Sequence, residues 1–217
     1  MTGPTHADGS AWPRSSFERP ALDLARVLLG ALVVRDGPDG RAAGVIVETE
    51  AYGGPDDRAS HARAGLTRRT ATMFGPAGHA YVYLVYGMHS CLNIVSEGAG
   101  RAGAVLVRAL EPVAGMELMR GRRGPAAGPD ARLASGPARL CQALAIDRSL
   151  DGHDLAIGTT LWIADPDAAI ADRIAEARVV QGPRIGVAYA GADWGSRPWR
   201  FGVRGHPSLS RPFPVES

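Results

Sequence analysis

The spacing of hydrophobic and polar positions changes period several times along the chain. Over residues 21–29, Leu24 with Leu28 and Leu22 with Leu29 stand at helical spacing, and Gly30 closes the run, which predicts a short helix. Residues 31–35 and 44–52 are rich in Val and Ile and flank the turn sequence Asp-Gly-Pro-Asp-Gly, which predicts a hairpin. Residues 53–70 read as a polar loop, with a helical turn near 69–74. Three further strands are predicted over 80–86, 90–96 and 104–110, and their short connections make them antiparallel neighbours. A helix over 115–120, a mobile loop over 121–136 and a helix from Pro137 to about Ile146 follow, after which the pattern returns to β over 159–163, 177–180, 184–187 and 199–203. The chain therefore reads as an α+β fold: a single domain around a curved antiparallel β-sheet, with flanking helices and a protruding β-hairpin. A flexible N-terminal tail over 1–18 would precede this domain at 19–217.

Length and composition agree with that picture. The 217 residues, 45% hydrophobic and 21% charged, suit one globular domain with its own core. All 24 basic residues are arginine. Without lysine, the chain cannot carry a P-loop, a pyridoxal Schiff base or an imine on a side chain, and only its α-amine remains for imine chemistry. Charge is distributed unevenly: residues 58–148 hold 12 Arg against 5 acids, and residues 178–217 hold 6 against 2. These blocks either form one basic face for a polyanion or simply alternate around a solvated surface. Cys91 and Cys141, fifty residues apart with no C-x-x-C, read as small core residues in a reducing compartment. Residues 1–16 contain no apolar run and so no secretory signal. Residues 70–96 carry no charge, but Pro76, three glycines, two histidines and Asn93 interrupt them, and no membrane span is expected. The expected location is cytoplasmic, with the nucleoid of a bacterial cell.

Candidate chemistry gathers in the first half. In the segment Val45-Ile46-Val47-Glu48-Thr49-Glu50-Ala51-Tyr52, a period of two places Ile46, Glu48, Glu50 and Tyr52 on one face. Like charges on one strand face cost energy, so the face is either a site or a surface turned to water. Asp56, Asp57 and His61 follow, which with Glu48 and Glu50 leaves open a metal cluster for phosphate-ester cleavage, although Asp56 and Asp57 read more simply as a solvated loop. Four of the five tyrosines fall between Tyr52 and Tyr86. Tyr81 and Tyr83 suit a β core, whereas Tyr86 precedes Gly87-Met88-His89 at a hairpin tip, where large apolar groups project into water. Aromatic residues near arginines suit stacking on bases or wedging a duplex. Asn93 and Arg108 interrupt otherwise apolar strands and either face water or offer hydrogen bonds to a site.

Four segments, VETEAYGGPDDRASHA, MFGPAGHAYVYLVYGMHSCLNIV, AVLVRALEP and SGPARLCQALAI, occur in this order and closely resemble the alkyladenine (3-methyladenine) DNA glycosylase family, the methylpurine DNA glycosylases. The likeness runs over about 22–210. It implies a monomeric, cofactor-free and metal-free, monofunctional enzyme that flips alkylated or deaminated purines (3-methyladenine, 7-methylguanine, hypoxanthine, ethenoadenine) from double-stranded DNA and hydrolyses the N-glycosidic bond. By motif position, Glu50 resembles the residue that activates water and Arg108 an arginine beside the water and the phosphodiester. Tyr52 and Tyr83 resemble the walls around the flipped base, His61 a hydrogen-bond partner, and Asn93 the residue that obstructs the exocyclic amino group of guanine. Tyr86 resembles the intercalating wedge, with Met88 beside it and Arg69 and Arg139 on the DNA backbone. Glu48 is expected to support the structure, and His206 in GHPSLS departs from the family pattern. The competing readings are a metal-dependent nuclease using Glu48, Glu50 and His61, and a catalytically silent lesion-binding module.

Overall fold

Two long strands carry the architecture. In the computed structural model, which describes residues 9–214, β2 (Gly40–Tyr52) and β5 (Ala104–Ala114) pair antiparallel along most of their lengths. Their Val, Ile, Leu and Ala positions bury on both faces, so neither strand shows the alternation of a half-exposed sheet. The sheet continues past β5 through β4 (His89–Val95) and β3 (Ala80–Val85), and past β2 through β1 (Leu32–Gly37) and β6 (Leu161–Ala164). The far half of β2 leaves β1 and pairs instead with β8 (Arg200–Val203), which also pairs with β7 (Val179–Gly182). The result is a curled antiparallel half-barrel in one domain, with helices on its flanks.

The helix α1 (Ala21–Val27) buries Leu24 and Ala25 in one core with Val33, Ile46, Val82 and Leu92. The helix α2 (Met116–Arg123) starts after Gly115, whose φ of 68° favours glycine and where an added Cβ would collide with Arg41 O. Pro137 opens α3 (Pro137–Ala143), which buries Leu140, Cys141 and Ala143 in the same core.

Several expectations shift. Residues 9–18 are seated on the body rather than trailing as a tail: the Trp12 N–H donates to Ile163 O at 2.8 Å, and the Phe17 ring is fully buried. The remainder of that proposed tail, 1–8, lies outside the described residues. Part of the predicted 121–136 loop is fastened, with Leu133 and Ala134 fully buried and Ser135 bridged to Ala109. Residues after 146 are not purely β. Helix α4 (Ala168–Ala175) is capped by Asp167, which accepts from Ile170 N at 2.9 Å, and Ile170 is the one buried side chain among those described in it, a stripe too narrow to announce itself. Helix α5 (Ala192–Ser196) was likewise unpredicted. The expected strand over 184–187 does not form, because that segment's polar groups are taken by carboxylates instead of a ladder.

Candidate active site

One face of the sheet carries the chemistry, and two bulges create it. Between Ile46 and Glu48, β2 advances two residues against one of β5, and between Glu48 and Thr49 β5 advances two against one. The extra residues are Val47 on one strand and Arg108 on the other. The first bulge overturns the predicted four-residue face: Ile46 joins Thr49 on the α1 side, where the Thr49 hydroxyl donates to Ala25 O at 2.8 Å. Glu48, Glu50 and Tyr52 remain together on the other side, facing the bulged Arg108.

Both carboxylates are fully buried. Arg108 Nη1 lies 3.2 Å from Glu50 Oε2, the Tyr52 hydroxyl donates to that same oxygen at 2.8 Å, and the Ile185 N–H donates to Oε1 at 2.6 Å. Burial raises the Glu50 pKa above the usual carboxylate range, against the opposing pull of Arg108 and the donors from Ile185 and Tyr52. Burial also opposes the charge on Arg108, yet Glu50 and Glu48 together hold it protonated. Glu48 is saturated by Arg108 Nε at 3.2 Å, Arg200 Nη1 at 3.1 Å, and the Ser210 N–H and hydroxyl at 2.6 and 2.9 Å. It fixes Arg108 from behind.

In front of this network lies a cavity of about 690 Å³, lined by Tyr52, His61, Arg69, Tyr83, Tyr86, Asn93 and Arg108 among others. Seven of the ten predicted site residues thus share one space. Glu50 does not line it; Tyr52 and Arg108 stand between its carboxylate and the opening. Because strand neighbours alternate, Tyr81, Tyr83, Cys91 and Asn93 all point inward while Val82, Leu92 and Ile94 enter the core. Asn93 Nδ2 donates to Tyr81 O at 3.1 Å, which fixes its amide. The His61 ring meets Tyr83 edge-on at 4.5 Å and shares a 3.0 Å hydrogen bond between Nδ1 and the Tyr81 hydroxyl. Burial, aided by Arg69, lowers the His61 pKa, so the ring is neutral at neutral pH.

The mouth is formed by the β3–β4 hairpin. Tyr86 and Gly87 both take positive φ, 53° and 72°, the handedness a tight hairpin turn favours. That turn leaves Tyr86 88% exposed and Met88 71% exposed. Met88 and Arg139 belong to an adjoining groove that also includes Arg123. Several arginines elsewhere are paired with acids, as in Arg122 with Asp39 and Arg173 with Glu111, whereas Arg35 and Arg132 donate to backbone carbonyls. Among the described residues, no carboxylate stands within ion-pair distance of Arg58, Arg63, Arg68 or Arg69 on the loop beside the cavity, nor of Arg123 or Arg139 in the groove. Uncompensated positive charge therefore flanks the hairpin on both sides.

The alternative cluster of acids does not converge. Asp56 is exposed, and Asp57 is corrected from a solvated loop position to a buried one, where it receives Arg184 Nη1 and Nη2 at 2.6 and 3.0 Å. Among the described residues, no three of His, Cys, Asp and Glu come together as a metal site, and no helix is long and apolar enough to cross a membrane. Sequence reading missed Arg184, Ile185 and Tyr189. The Ile185 contribution is a backbone N–H and leaves no trace in side-chain pattern, whereas Tyr189 was visible as the one tyrosine outside the cluster.

The amino-acid sequence has relatives among known proteins. A family model described as Methylpurine-DNA glycosylase (MPG) matches residues 15–207. The chain is 48% identical over 202 residues to a Methanocella arvoryzae protein named "Putative 3-methyladenine DNA glycosylase", covering 93% of this chain and 96% of that one. A protein of the same name from Anaeromyxobacter dehalogenans is 49% identical over 203 residues, covering 93% and 86%. The DNA-3-methyladenine glycosylase of Homo sapiens is 46% identical over 203 residues, covering 89% of this chain and 66% of the human protein. A family match across nearly the whole folded body, together with relatives sharing almost half of all residues, means that this chain belongs to the methylpurine-DNA glycosylase family.

Proposed function

We propose that the protein is a DNA-3-methyladenine glycosylase that extrudes damaged purines from duplex DNA and hydrolyses their N-glycosidic bond. The observation that carries this reading is a buried carboxylate, Glu50, behind an aromatic-walled cavity whose mouth bears an exposed tyrosine. Arginines without carboxylate partners on either side of the hairpin suit the phosphates of a duplex, with Arg69 and Arg139 among them. Tyr86 enters the stack, and Tyr52 and Tyr83 offer π faces to the extruded base, favouring one that carries positive charge. His61 hydrogen-bonds the base through Nε2, exchanging its 3.4 Å contact with Arg69, and Asn93 blocks the exocyclic amino group of undamaged guanine.

The cationic purine leaves as a neutral base when the bond from C1′ to the ring nitrogen breaks, water adds to C1′, and the proton of that water passes to Glu50. A water taking the place of the Tyr52 hydroxyl on Oε2 would stand where this transfer needs it, with Arg108 fixing the carboxylate. The substrate range we assign comprises 3-methyladenine, 7-methylguanine, hypoxanthine and ethenoadenine; the last two are neutral, so their leaving nitrogen must also take up a proton, which solvent supplies. The product is an intact abasic site, since no side-chain amine can form an imine. The protein acts as a monomer with no cofactor, in the cytoplasm at the nucleoid. Single-turnover incubation with lesion-bearing duplexes in EDTA tests this. Free base with strand breaks only after alkali is expected, and breaks before alkali or no release from any lesion would overturn the reading.

Burial also sets the acid limb of the reaction. Glu50 must be ionised to accept a proton, and its pKa is raised by burial. As pH falls through that raised value the base is lost, so single-turnover excision of a cationic lesion is expected to decline at a higher pH than an ordinary glutamate would impose. A rate that stays flat down to the usual carboxylate range would remove Glu50 from the proton transfer.

The hairpin tip separates wedge from strain. A tyrosine at φ 53° costs about 1–2 kcal/mol relative to glycine there. Tyr86→Ala and Tyr86→Gly should both weaken discrimination of lesion duplex, by roughly 1–3 kcal/mol if one stacked aromatic is lost. Only the glycine variant should also gain a few degrees in thermal midpoint. Unchanged lesion affinity and turnover in both variants would remove the wedge assignment.

A further inference from the structure

The exposed large apolar side chains are not scattered evenly. Leu84, Tyr86 and Met88 stand on the hairpin at the cavity mouth, and Tyr189, 70% exposed, lines the same cavity from a separate segment of the chain. Tyr189 sits on the 3-10 turn Ala188–Ala190, and its hydroxyl donates to Ala59 O at 3.0 Å. Val187 and Ala190 beside it are buried against Ala59. An exposed ring held at both ends is a rigid surface rather than a free side chain, and a rigid aromatic face at a cavity mouth is ready to receive a ligand.

We propose that Tyr189 is the second jaw of the mouth and packs its ring against the deoxyribose of the extruded nucleotide. This rests on the glycosylase reading above. The base of such a nucleotide occupies the interior between Tyr52 and Tyr83, so the group that passes the mouth is the sugar. Its C–H face suits a flat apolar ring. Placement matters because the same short segment also delivers the Ile185 N–H to Glu50, 2.6 Å away. A sugar seated on Tyr189 is thereby registered against the carboxylate whose water must meet C1′.

The test compares Tyr189→Ala and Tyr189→Phe in equilibrium binding to a duplex bearing a tetrahydrofuran abasic analogue, which has a sugar but no base, to the same duplex with ethenoadenine, and to the undamaged duplex. The alanine variant should lose about tenfold in affinity for both modified duplexes and nothing for the undamaged one. The phenylalanine variant, which keeps the ring, should retain most of the affinity. Thermal midpoints should match wild type, since the ring is exposed. Unchanged binding of the abasic analogue by the alanine variant would overturn the proposal. Loss confined to ethenoadenine would overturn it too, because the ring would then be meeting the base. A wild-type protein that prefers neither modified duplex would instead overturn the glycosylase reading, and the jaw with it.

Discussion

Glu50→Gln is expected to slow single-turnover base release by about 10²–10⁴-fold while lesion affinity stays near wild type. Glutamine has the shape of glutamate, so its side-chain oxygen can still accept from the Ile185 N–H or the Tyr52 hydroxyl. Arg108 keeps Glu48 at 3.2 Å as a counter-charge. What disappears is an anion able to take a proton from water and to offset positive charge growing on the sugar. Base release in the presence of EDTA and binding to lesion duplex are the two measurements. Release unchanged by the substitution would take the base role away from Glu50. A protein that binds lesions but shows no release even as wild type would be a recognition module.

The second large effect is on stability. Arg184→Ala is expected to destabilise the fold by about 3–5 kcal/mol, because it strands a buried carboxylate. Arg184 and Asp57 are 4% and 2% exposed and joined by two hydrogen bonds. The guanidinium also donates to Ala51 O at 3.0 Å and lies between the rings of Tyr52 and Trp199, 4.8 Å from each centroid. Asp57 would keep only the N–H groups of Gly53 and Ala59. For a chain of this size, the loss corresponds to a fall of roughly 6–20 °C in thermal midpoint. Arg184→Lys should not restore it, since a lysine supplies neither the paired donors nor the planar stack. Replacing Asp57 and Arg184 together by apolar residues should cost much less than either change alone. A single variant within about 1 kcal/mol of wild type by thermal denaturation would show that the pair does not hold the wall behind Tyr52.

Those two residues illustrate what local pattern can and cannot convey. Asp56 and Asp57 look alike in the sequence, two acids in a Gly and Pro turn, yet one is exposed and the other is a buried anchor. The distinction is made by Arg184, 127 positions away, and a contact of that separation leaves no periodicity to read. Glu48 and Glu50 were legible as a pair because acids on an apolar strand are costly, while the supporting role expected of Glu48 came without its partners. Glu48 is saturated by Arg200 and Ser210 from the far end of the chain, and only Glu50 stands behind the cavity.

The sequence by itself determined the α+β class, most strand positions, the exposed aromatic hairpin tip and the family, because side-chain period, turn chemistry and motif order are local properties. Tertiary structure alone decided that compensating bulges turn Ile46 away and bring Arg108 against both carboxylates. It also decided that the Ile185 N–H reaches Glu50 from a segment that reads as an ordinary strand, with Tyr189 beyond it on the cavity lining. Ladder register and long-range hydrogen bonding depend on partners distant in the chain, and their energies belong to pairs of residues rather than to any one position.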